Sequence, residues 1–246
     1  MSKGLVSVVM PGYNCADSVK RAIDSLLAQC YQNWELIYVD DKSSDESFEI
    51  VKSIADSRIK AIRMNENSGS PVRPRNIAIR EAKGQYIAFL DSDDTWEDNK
   101  LSLQIRAMID SNLHASHGYY NRVDQYFDFL NLVICPERVT YKKMLSTNYI
   151  GNLTGIYDCS ILGKFLQKEV GHEDYLMWLN ILSKTDSVGI KSPLGSYTVS
   201  GTSVSSNKIK AMEWHYNILR NELGFNRLKS FHYFSLYLFN AISKRI

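Results

Sequence analysis

The sequence predicts an α/β fold in which helices cover both faces of a mainly parallel sheet. Short apolar runs, among them Leu5–Met10, Leu36–Val39 and Tyr86–Leu90, have the length and composition of buried strands. Segments with apolar residues at helical spacing separate these runs; the first contains Val19 and Ile23, with two leucines one turn further on. Strands that alternate with helices imply crossover connections, which make neighbouring strands parallel.

The same alternation continues along the chain. Further strands are expected at Ile59–Met64, His117–Tyr120 and Leu153–Tyr157, and further helices at Phe48–Ile54, from Pro74 onward, at Leu101–Ile109, at Tyr141–Leu145 and at Tyr175–Leu182. Proline favours the first turn of a helix, which supports the position given to Pro74. The first hundred residues therefore predict a nucleotide-binding half of the Rossmann type.

The composition is that of an ordinary globular protein. The chain has 246 residues, of which 44% are hydrophobic and 23% charged, and its net charge is +2. Its four cysteines show no Cys-x-x-Cys spacing, so we expect reduced thiols in a cytosol. The apolar run at the amino terminus is too short for a secretory signal, and the expected location is cytoplasmic. Nucleic-acid binding is not expected, because the basic residues cluster only in the tail.

Three aspartates follow the strand Tyr86–Leu90 within four residues. Asp91 and Asp93 should point the same way, with Asp94 beside them, at the end of the sheet where open parallel sheets bind ligands. Carboxylates this close repel one another unless a cation or hydrogen-bond donors compensate. A divalent cation that also binds phosphate is one interpretation. A solvated acidic turn before a helix that begins near Trp96 is the alternative.

A second acidic pair, Glu173 and Asp174, precedes a predicted helix. Negative charge is favoured at a helix N-terminus, so these residues predict either a helix cap or a functional pair. The turn after the first strand, Pro11–Asn14, lacks Gly-x-Gly-x-x-Gly, and no P-loop sequence occurs in the chain. Dinucleotide redox enzymes and P-loop enzymes are therefore disfavoured.

These motifs together resemble family-2 glycosyltransferases, which have the GT-A fold. The matching segments are Pro11–Asn14, Val39–Asp45, Asn67–Gly69, Arg75–Asn76, Gly84–Asp94 and Glu173–Asp174. Each is weak alone, but their order and spacing are specific. The resemblance implies a GT-A sheet flanked by helices, with a helical appendage at the carboxyl terminus.

The resemblance also implies a role for each matching residue. Asp174 would be the general base, with Glu173 and His172 on the acceptor side, and Asp93, together with Asp91, would bind the metal. The residues implied for the donor are Pro11, Tyr13, Asp41, Arg75, Asp91 and Ser92. A partly buried, hydrogen-bonded histidine is the alternative for His172.

The implied activity is inverting, metal-dependent transfer of a sugar from a nucleotide diphosphate, expected to be UDP, to a saccharide or lipid-linked saccharide. The implied cofactor is Mn²⁺ or Mg²⁺, and the setting is bacterial polysaccharide biosynthesis, such as lipopolysaccharide or capsule. A sugar nucleotidyltransferase would share the sheet and the acidic site, but Pro11–Asn14 does not provide its glycine-rich basic loop. A catalytically silent relative that binds nucleotide or saccharide stays open.

Four positions depart from the family pattern. Pro74 stands where a small residue usually precedes Arg-Asn, Ala78 and Lys42 replace glycines, and Thr198 replaces an arginine. Contact with phosphate near Thr198 would then come from hydroxyls or backbone amides of the segment that follows, or from Lys208.

The carboxyl tail differs from the rest of the chain. We expect residues 1–205 to form the transferase domain, with a nucleotide-sugar half at 1–98 and an acceptor half at 99–205, and residues 206–246 to form an amphipathic helical segment. From Asn207 onward there are seven Lys or Arg and two Glu. One helical face is expected to hold Leu228, Phe231, Phe234, Leu238 and Ile242, and the opposite face Lys229, Tyr233, Tyr237, Asn240 and Lys244.

Such a basic amphipathic helix can lie in a membrane interface, here the inner face of the plasma membrane. It can equally pack on its own domain or on a partner subunit, and a homodimer stays open.

Overall fold

A mixed sheet forms the centre of the protein. The structure, a computed structural model, describes residues 4–199 and 208–243, with the side chains of residues 208, 242 and 243 excepted. Within these residues the strands are β1 (Val6–Gly12), β2 (Trp34–Asp40), β3 (Ile59–Arg63), β4 (Tyr86–Phe89), β5 (Thr95–Trp96), β6 (Ala115–Val123), β7 (Phe129–Val133), β8 (Arg138–Val139), β9 (Ile156–Asp158) and β10 (Ser187–Thr198).

Helices cover both faces of this sheet. They are α1 (Val19–Leu27), α2 (Ser47–Lys52), α3 (Val72–Glu81), α4 (Lys100–Ser111), α5 (Tyr141–Met144), α6 (Cys159–Leu162), α7 (Glu173–Leu182), α8 (Lys208–Asn217) and α9 (Arg227–Ser243). A 3₁₀ turn at Asn152–Thr154 precedes β9, and a π-helical turn at Ile218–Glu222 follows α8. No helix in the described part of the chain is both long enough and apolar enough to cross a bilayer.

The strand order is β3-β2-β1-β4-β9-β6-β10-β5, with β7 paired to β6 and β8 to β10. Strands β1 to β4 are parallel to one another, and β6 is parallel to β10, whereas β9 runs antiparallel to both β4 and β6. The predicted α/β fold with a mainly parallel sheet is therefore confirmed. The chain continues from β1 to β2 on one side, while β4 lies on the other, and ligands bind at such a switch in strand order.

The two faces of the sheet support two apolar clusters. Val6, Val8 and Met10 of β1 belong to the cluster that includes α1 and α4, whereas Val9 belongs to the cluster that includes α3 and α7. This alternation follows from the two-residue period of a strand. Both faces are thus covered, as parallel sheets require.

Two expectations about helices were wrong. Thr95 and Trp96 do not begin a helix but pair with β10, and the helix starts four residues later at Lys100. In α9, the predicted faces are rotated: Tyr233, Phe234 and Tyr237 all pack inward, while Leu228, Phe231 and Phe239 are exposed. The tyrosines were assigned to the polar face, but the Tyr237 ring stacks on the buried His215 of α8, and the Tyr233 ring contacts Phe225.

Candidate active site

A cavity of about 360 Å³ opens where β1, β2 and β4 end. All the residues implied for donor and metal binding line it: Pro11, Tyr13, Asp41, Arg75, Asp91, Ser92 and Asp93. These residues come from four separate segments of the sequence, which the parallel strands bring to one edge of the sheet. We call this space the donor cavity.

The floor of the donor cavity is a set of loops that hold one another in place. The backbone N–H and the hydroxyl of Ser68 donate to the two oxygens of the Asp41 carboxylate, each at 2.9 Å, and the Asp41 N–H donates to the Gly12 carbonyl at 2.7 Å. Gly12 is required there, because a Cβ would lie 2.3 Å from the Tyr38 hydroxyl oxygen. Lys42, in place of the usual glycine, adopts a left-handed backbone with φ of 58°.

Thr198 ties the acidic turn to the last strand of the sheet. Its hydroxyl donates to the Asp93 carbonyl at 2.6 Å, and its N–H donates to Asp94 Oδ1 at 2.9 Å. The residue that replaces the expected arginine therefore positions the aspartates. Positions 200–205 and the Lys208 side chain, the other sources suggested for phosphate contact, lie outside the described residues.

The three aspartates differ in their surroundings. Although the Asp93 side chain is exposed, desolvation by the neighbouring loops and then the charge of Asp91 raise its pKa to about 6. Asp94 is only 1% exposed, and burial followed by the charge of Asp93 raises its pKa well above its usual range. The arrangement thus concentrates negative charge at the strand end, which favours a bound cation.

Arg75 connects the acidic turn to α7. Its Nη2 lies 2.7 and 2.8 Å from the two oxygens of Asp91, and its Nη1 lies 3.4 Å from Oε1 of Glu173. Burial lowers the pKa of Arg75, but the charges of Asp91 and Glu173 outweigh it and raise the pKa overall. Burial, and then the charge of Asp174, raises the pKa of Glu173.

A second cavity, of about 670 Å³, adjoins the first. His172, Glu173 and Asp174 line it, and Arg75 and Asp91 line both cavities. Among the described residues, no hydrogen bond or ion pair engages the Asp174 carboxylate, in contrast to its neighbour Glu173. We call this space the acceptor-side cavity.

Packing of α7 on β4 sets the position of the second acidic pair. The Trp178 ring meets Phe89 of β4 edge-to-face, with centroids 5.9 Å apart, and the same ring meets Tyr157 of β9. Gly155 allows this approach, since a Cβ there would lie 2.0 Å from the indole. The strand that carries the aspartates is therefore also the strand that supports α7.

Several residues that line the acceptor-side cavity were not predicted. Asn148, Asn152, Tyr120, Tyr197 and Trp214 belong to different elements, and Trp214 lies on α8 in the carboxyl tail. His172, the expected acceptor-side histidine, has a left-handed backbone and packs its ring edge-to-face with Trp214 at 5.3 Å. No spacing in the sequence indicates these contacts, because tertiary packing alone brings the elements together.

The side chains of the donor cavity supply only part of the ligand set of a hard divalent cation. Within the described residues no group of three or more His, Cys, Asp or Glu side chains could hold a metal. Mg²⁺ and similar ions, however, bind through one or two carboxylates and complete their coordination with water and phosphate oxygens. Asp93, with an exposed carboxylate in the donor cavity, fits such a site, whereas both oxygens of Asp91 already accept from Arg75.

Comparison with known proteins identifies the family. The sequence pattern described as Glycosyl transferase family 2 matches residues 7–171. The chain is also 36% identical over 246 residues to the Escherichia coli UDP-Glc:alpha-D-GlcNAc-diphosphoundecaprenol beta-1,3-glucosyltransferase WfgD, covering 99% of this chain and 96% of that protein. The chain belongs to glycosyltransferase family 2. It is a glycosyltransferase, as the motifs implied.

Other family-2 relatives and solved structures agree with this assignment. The Bacillus subtilis putative teichuronic acid biosynthesis glycosyltransferase TuaG is 34% identical, with 99% of this chain and 98% of that protein covered. The crystal structure of residues 1-349 of S. aureus TarS in complex with UDP matches with a TM-score of 0.73 at 21% identity, covering 95% of this chain and 70% of that one.

The mannosyltransferase PcManGT from Pyrobaculum calidifontis, in complex with GDP-Man and Mn²⁺, matches with a TM-score of 0.68 at 17% identity, covering 92% of this chain and 66% of that one. These structural matches confirm the GT-A fold.

Proposed function

We propose that this glycosyltransferase moves glucose from UDP-glucose to a hydroxyl of an N-acetylglucosamine that is linked through a diphosphate to a lipid, with inversion at the anomeric carbon. The observation that carries the proposal is the division of the implied residues between two adjoining cavities. Those implied for the donor line one cavity, those implied for the acceptor line the other, and Arg75 and Asp91 lie at the boundary.

The choice of substrates is supported by the relatives. The name of WfgD specifies a UDP-Glc donor, a GlcNAc-diphosphoundecaprenol acceptor and a β-1,3 linkage. The name of E. coli WfaP, which is 37% identical over 222 residues, specifies the same three. UDP-glucose holds its sugar in the α configuration, so a β product means inversion. The setting proposed for this chain is assembly of a bacterial surface polysaccharide.

In the proposed mechanism Asp174 acts as the general base. As the acceptor oxygen forms its bond to the anomeric carbon, the bond from that carbon to the diphosphate oxygen breaks, and the electron pair leaves with UDP. The hydroxyl proton passes to the Asp174 carboxylate. The absence of an ion pair to Asp174 within the described residues supports this role, since its carboxylate is open to a hydrogen bond from the acceptor hydroxyl, whereas Glu173 pairs with Arg75.

The residues of the donor cavity would bind and orient UDP-glucose. Pro11 and Tyr13 would flank the nucleoside, and Asp41 would accept a hydrogen bond from the base, while Ser68 fixes the carboxylate. Asp93 would hold a Mn²⁺ or Mg²⁺ ion, which when bound neutralises charge on the departing diphosphate, while Asp91 would stay paired with Arg75 beside it. Arg75 would act chiefly by orienting Asp91 and Glu173.

Peripheral contact with the inner face of the plasma membrane is part of the proposal. Leu228, Phe231 and Phe239 are 84%, 68% and 67% exposed and recur along one side of α9. The beginning of the helix adds Arg227 and Lys229. Apolar side chains flanked by basic ones favour an anionic membrane interface, where a lipid-linked acceptor would be found.

The proposal is tested by incubating the protein with UDP-glucose, UDP-GlcNAc or GDP-mannose and an alkyl diphosphate that carries α-linked GlcNAc, with Mn²⁺ or with EDTA. We expect transfer from UDP-glucose, in Mn²⁺ only, and a β-linked product by NMR. Binding of UDP without transfer from any donor would favour a catalytically silent protein instead. An α-linked product would exclude the single displacement.

A further inference from the structure

The acceptor-side cavity has a wall to which the proposed reaction assigns no role. Asn152 lies in the 3₁₀ turn before β9, and Trp214 lies on α8, so 62 positions of sequence separate two groups that line the same space. Neither residue belongs to the motifs of the family resemblance. This wall faces the same cavity as Asp174, the proposed base.

The side-chain amide of Asn152 has a hydrogen-bond partner for its oxygen but none, among the described residues, for its nitrogen. Its Oδ1 accepts a hydrogen bond from Nε1 of Trp178 at 3.3 Å, and Trp178 is itself fully buried in the core. This bond orients the amide, so the NH₂ group is turned away from Trp178. Nδ2 is buried and donates to no other group of the described residues. Such a donor is costly unless an acceptor reaches it.

The indole of Trp214 is held against the loop that leads to Asp174. A Cβ at Gly171 would lie 2.0 Å from the ring, so only glycine allows the indole to pack on this backbone. The His172 ring meets the indole edge-to-face, and Lys210 Nζ lies 5.2 Å from its centroid. The indole also lines a further cavity of about 250 Å³.

We infer that Asn152 and Trp214 form a subsite for an N-acetylhexosamine, the sugar ring of the acceptor that presents its hydroxyl to Asp174. The Trp214 indole contacts the apolar C–H surface of the pyranose. Nδ2 of Asn152 donates to the carbonyl oxygen of the acetamido group. The two atoms are complementary, because the carbonyl oxygen can only accept a hydrogen bond and the amide NH₂ can only donate one. This inference rests on the proposed function and names the feature of the acceptor that the enzyme recognises.

The subsite predicts discrimination between two acceptors that differ only in the acetamido group. Alkyl diphosphates carrying α-linked GlcNAc or α-linked glucose are compared with UDP-glucose as donor. We expect the wild type to prefer the GlcNAc compound by about 10- to 100-fold in kcat/KM, because the glucose compound leaves the buried donor unpaired. In Asn152→Asp, the bond from Trp178 is kept and the NH₂ group is lost, so this ratio should fall towards one.

Trp214 has a different signature in the same assay. Trp214→Ala should raise KM for both acceptors about tenfold through loss of the apolar wall, leave the affinity for UDP unchanged and keep the preference for GlcNAc. Trp214→Phe should retain most of the wild-type KM. Phe129→Ala, which removes an exposed aromatic side chain from β7, is the matched control and should change neither value.

Calorimetry with the GlcNAc compound and UDP separates this inference from the proposed function. Binding by the wild type but not by Asn152→Asp, without any transfer, would support the subsite and overturn the catalytic proposal. Equal transfer to both acceptors by the wild type, or an unchanged preference in a folded Asn152→Asp, would overturn the subsite alone. Absence of both binding and transfer would overturn both.

Discussion

Nη2 of Arg75 lies within 2.8 Å of both carboxylate oxygens of Asp91, and the guanidinium is 8% exposed. The same guanidinium reaches Glu173 on α7, so one side chain joins the end of β4 to the helix that carries Asp174. A buried cation and its two carboxylates stabilise the folded state only when all three are present. If one is removed, the charges that stay buried are no longer compensated for their desolvation. Arg75 therefore bears on folding as well as on the shape of the site.

Replacement of Arg75 should destabilise the protein strongly. Arg75→Ala leaves Asp91 and Glu173 facing each other without a cation, and we expect a loss of roughly 3–5 kcal/mol in the free energy of unfolding. Arg75→Lys keeps the charge but cannot reach both carboxylates as the guanidinium does. Its free energy of unfolding should therefore lie between those of the wild type and Arg75→Ala. Urea denaturation measures the change.

Arg73 provides the matched control for Arg75. It lies two positions earlier and forms an ion pair of the same 2.7 Å length with Glu66, but both side chains are at least half exposed. Arg73→Ala should leave the urea midpoint unchanged, because solvent screens an exposed pair. Equal effects of the two substitutions would show that burial of the Arg75 pair contributes nothing to stability.

Asp93 should govern the metal-dependent part of nucleotide binding. Asp93→Asn removes the exposed carboxylate of the donor cavity and is expected to lower the Mn²⁺-dependent affinity for UDP by about tenfold or more, because a carboxylate ligand and its charge are lost. Calorimetry with Mn²⁺ and with EDTA measures the two components. The affinity in EDTA should not fall, and Asp110→Asn, outside both cavities, should match the wild type.

The exposed side of α9 should carry membrane affinity. Phe231→Ser combined with Phe239→Ser is expected to weaken binding to vesicles of phosphatidylglycerol and phosphatidylethanolamine by at least about tenfold, because two rings no longer enter the interface. Phe129→Ser with Ile134→Ser removes side chains of similar exposure, 64% and 68%, near β7 and serves as control. If both pairs weaken binding equally, α9 has no special part in it.

The grouping of the implied donor residues around one cavity was predictable from the sequence, because these residues lie at strand ends. The period of two along β1, β2 and β4 fixes which residues are buried, and parallel pairing then brings Pro11, Asp41 and Asp91 to one edge without further information. The position of Asp174 was less determined by the sequence. It depends on the contact of Trp178 with Phe89, between elements 89 positions apart.

Contacts that depend on docking of the tail were beyond sequence reasoning. Trp214 reaches the acceptor-side cavity only because Gly171 has no side chain, a relationship that no periodicity reveals. The faces of α9 were assigned wrongly because tyrosine is both polar and aromatic. The Tyr237 side chain points toward the protein interior because its ring stacks on His215, with ring centroids 4.0 Å apart.

His117 should make stability depend on pH. Its Nε2 lies 3.0 Å from the Pro136 carbonyl oxygen and therefore carries the proton, and Nδ1 then accepts from the Ser187 hydroxyl at 2.7 Å. Burial lowers the pKa of His117 to about 4, whereas in the unfolded chain it is about 6.5. Between these values the unfolded state binds more protons, so this stabilisation is complete above pH 6.5 and is lost as the pH falls towards 4.

Comparison with a variant isolates this histidine. His215 has a pKa lowered in the same way, while the raised pKa values of Asp93 and Glu173 act in the opposite direction, so the wild-type slope is a sum. His117→Gln should remove up to about 1.4 kcal/mol per pH unit from the dependence of the unfolding free energy between pH 4 and 6.5. Urea unfolding at several pH values measures it, and the exposed His232→Gln should leave the slope unaltered.

Asp174 and Glu173 offer a direct comparison of two adjacent acids. Asp174 has no hydrogen-bond or ion-pair partner among the described residues, whereas Glu173 pairs with Arg75. Asp174→Asn should reduce transfer from UDP-glucose to the GlcNAc compound by about 10²- to 10⁴-fold, the usual contribution of a general base. The affinity for UDP should stay within twofold of the wild type, because Asp174 does not line the donor cavity. Glu173→Gln should lower transfer far less, and the reverse ranking of the two variants would move the base to Glu173.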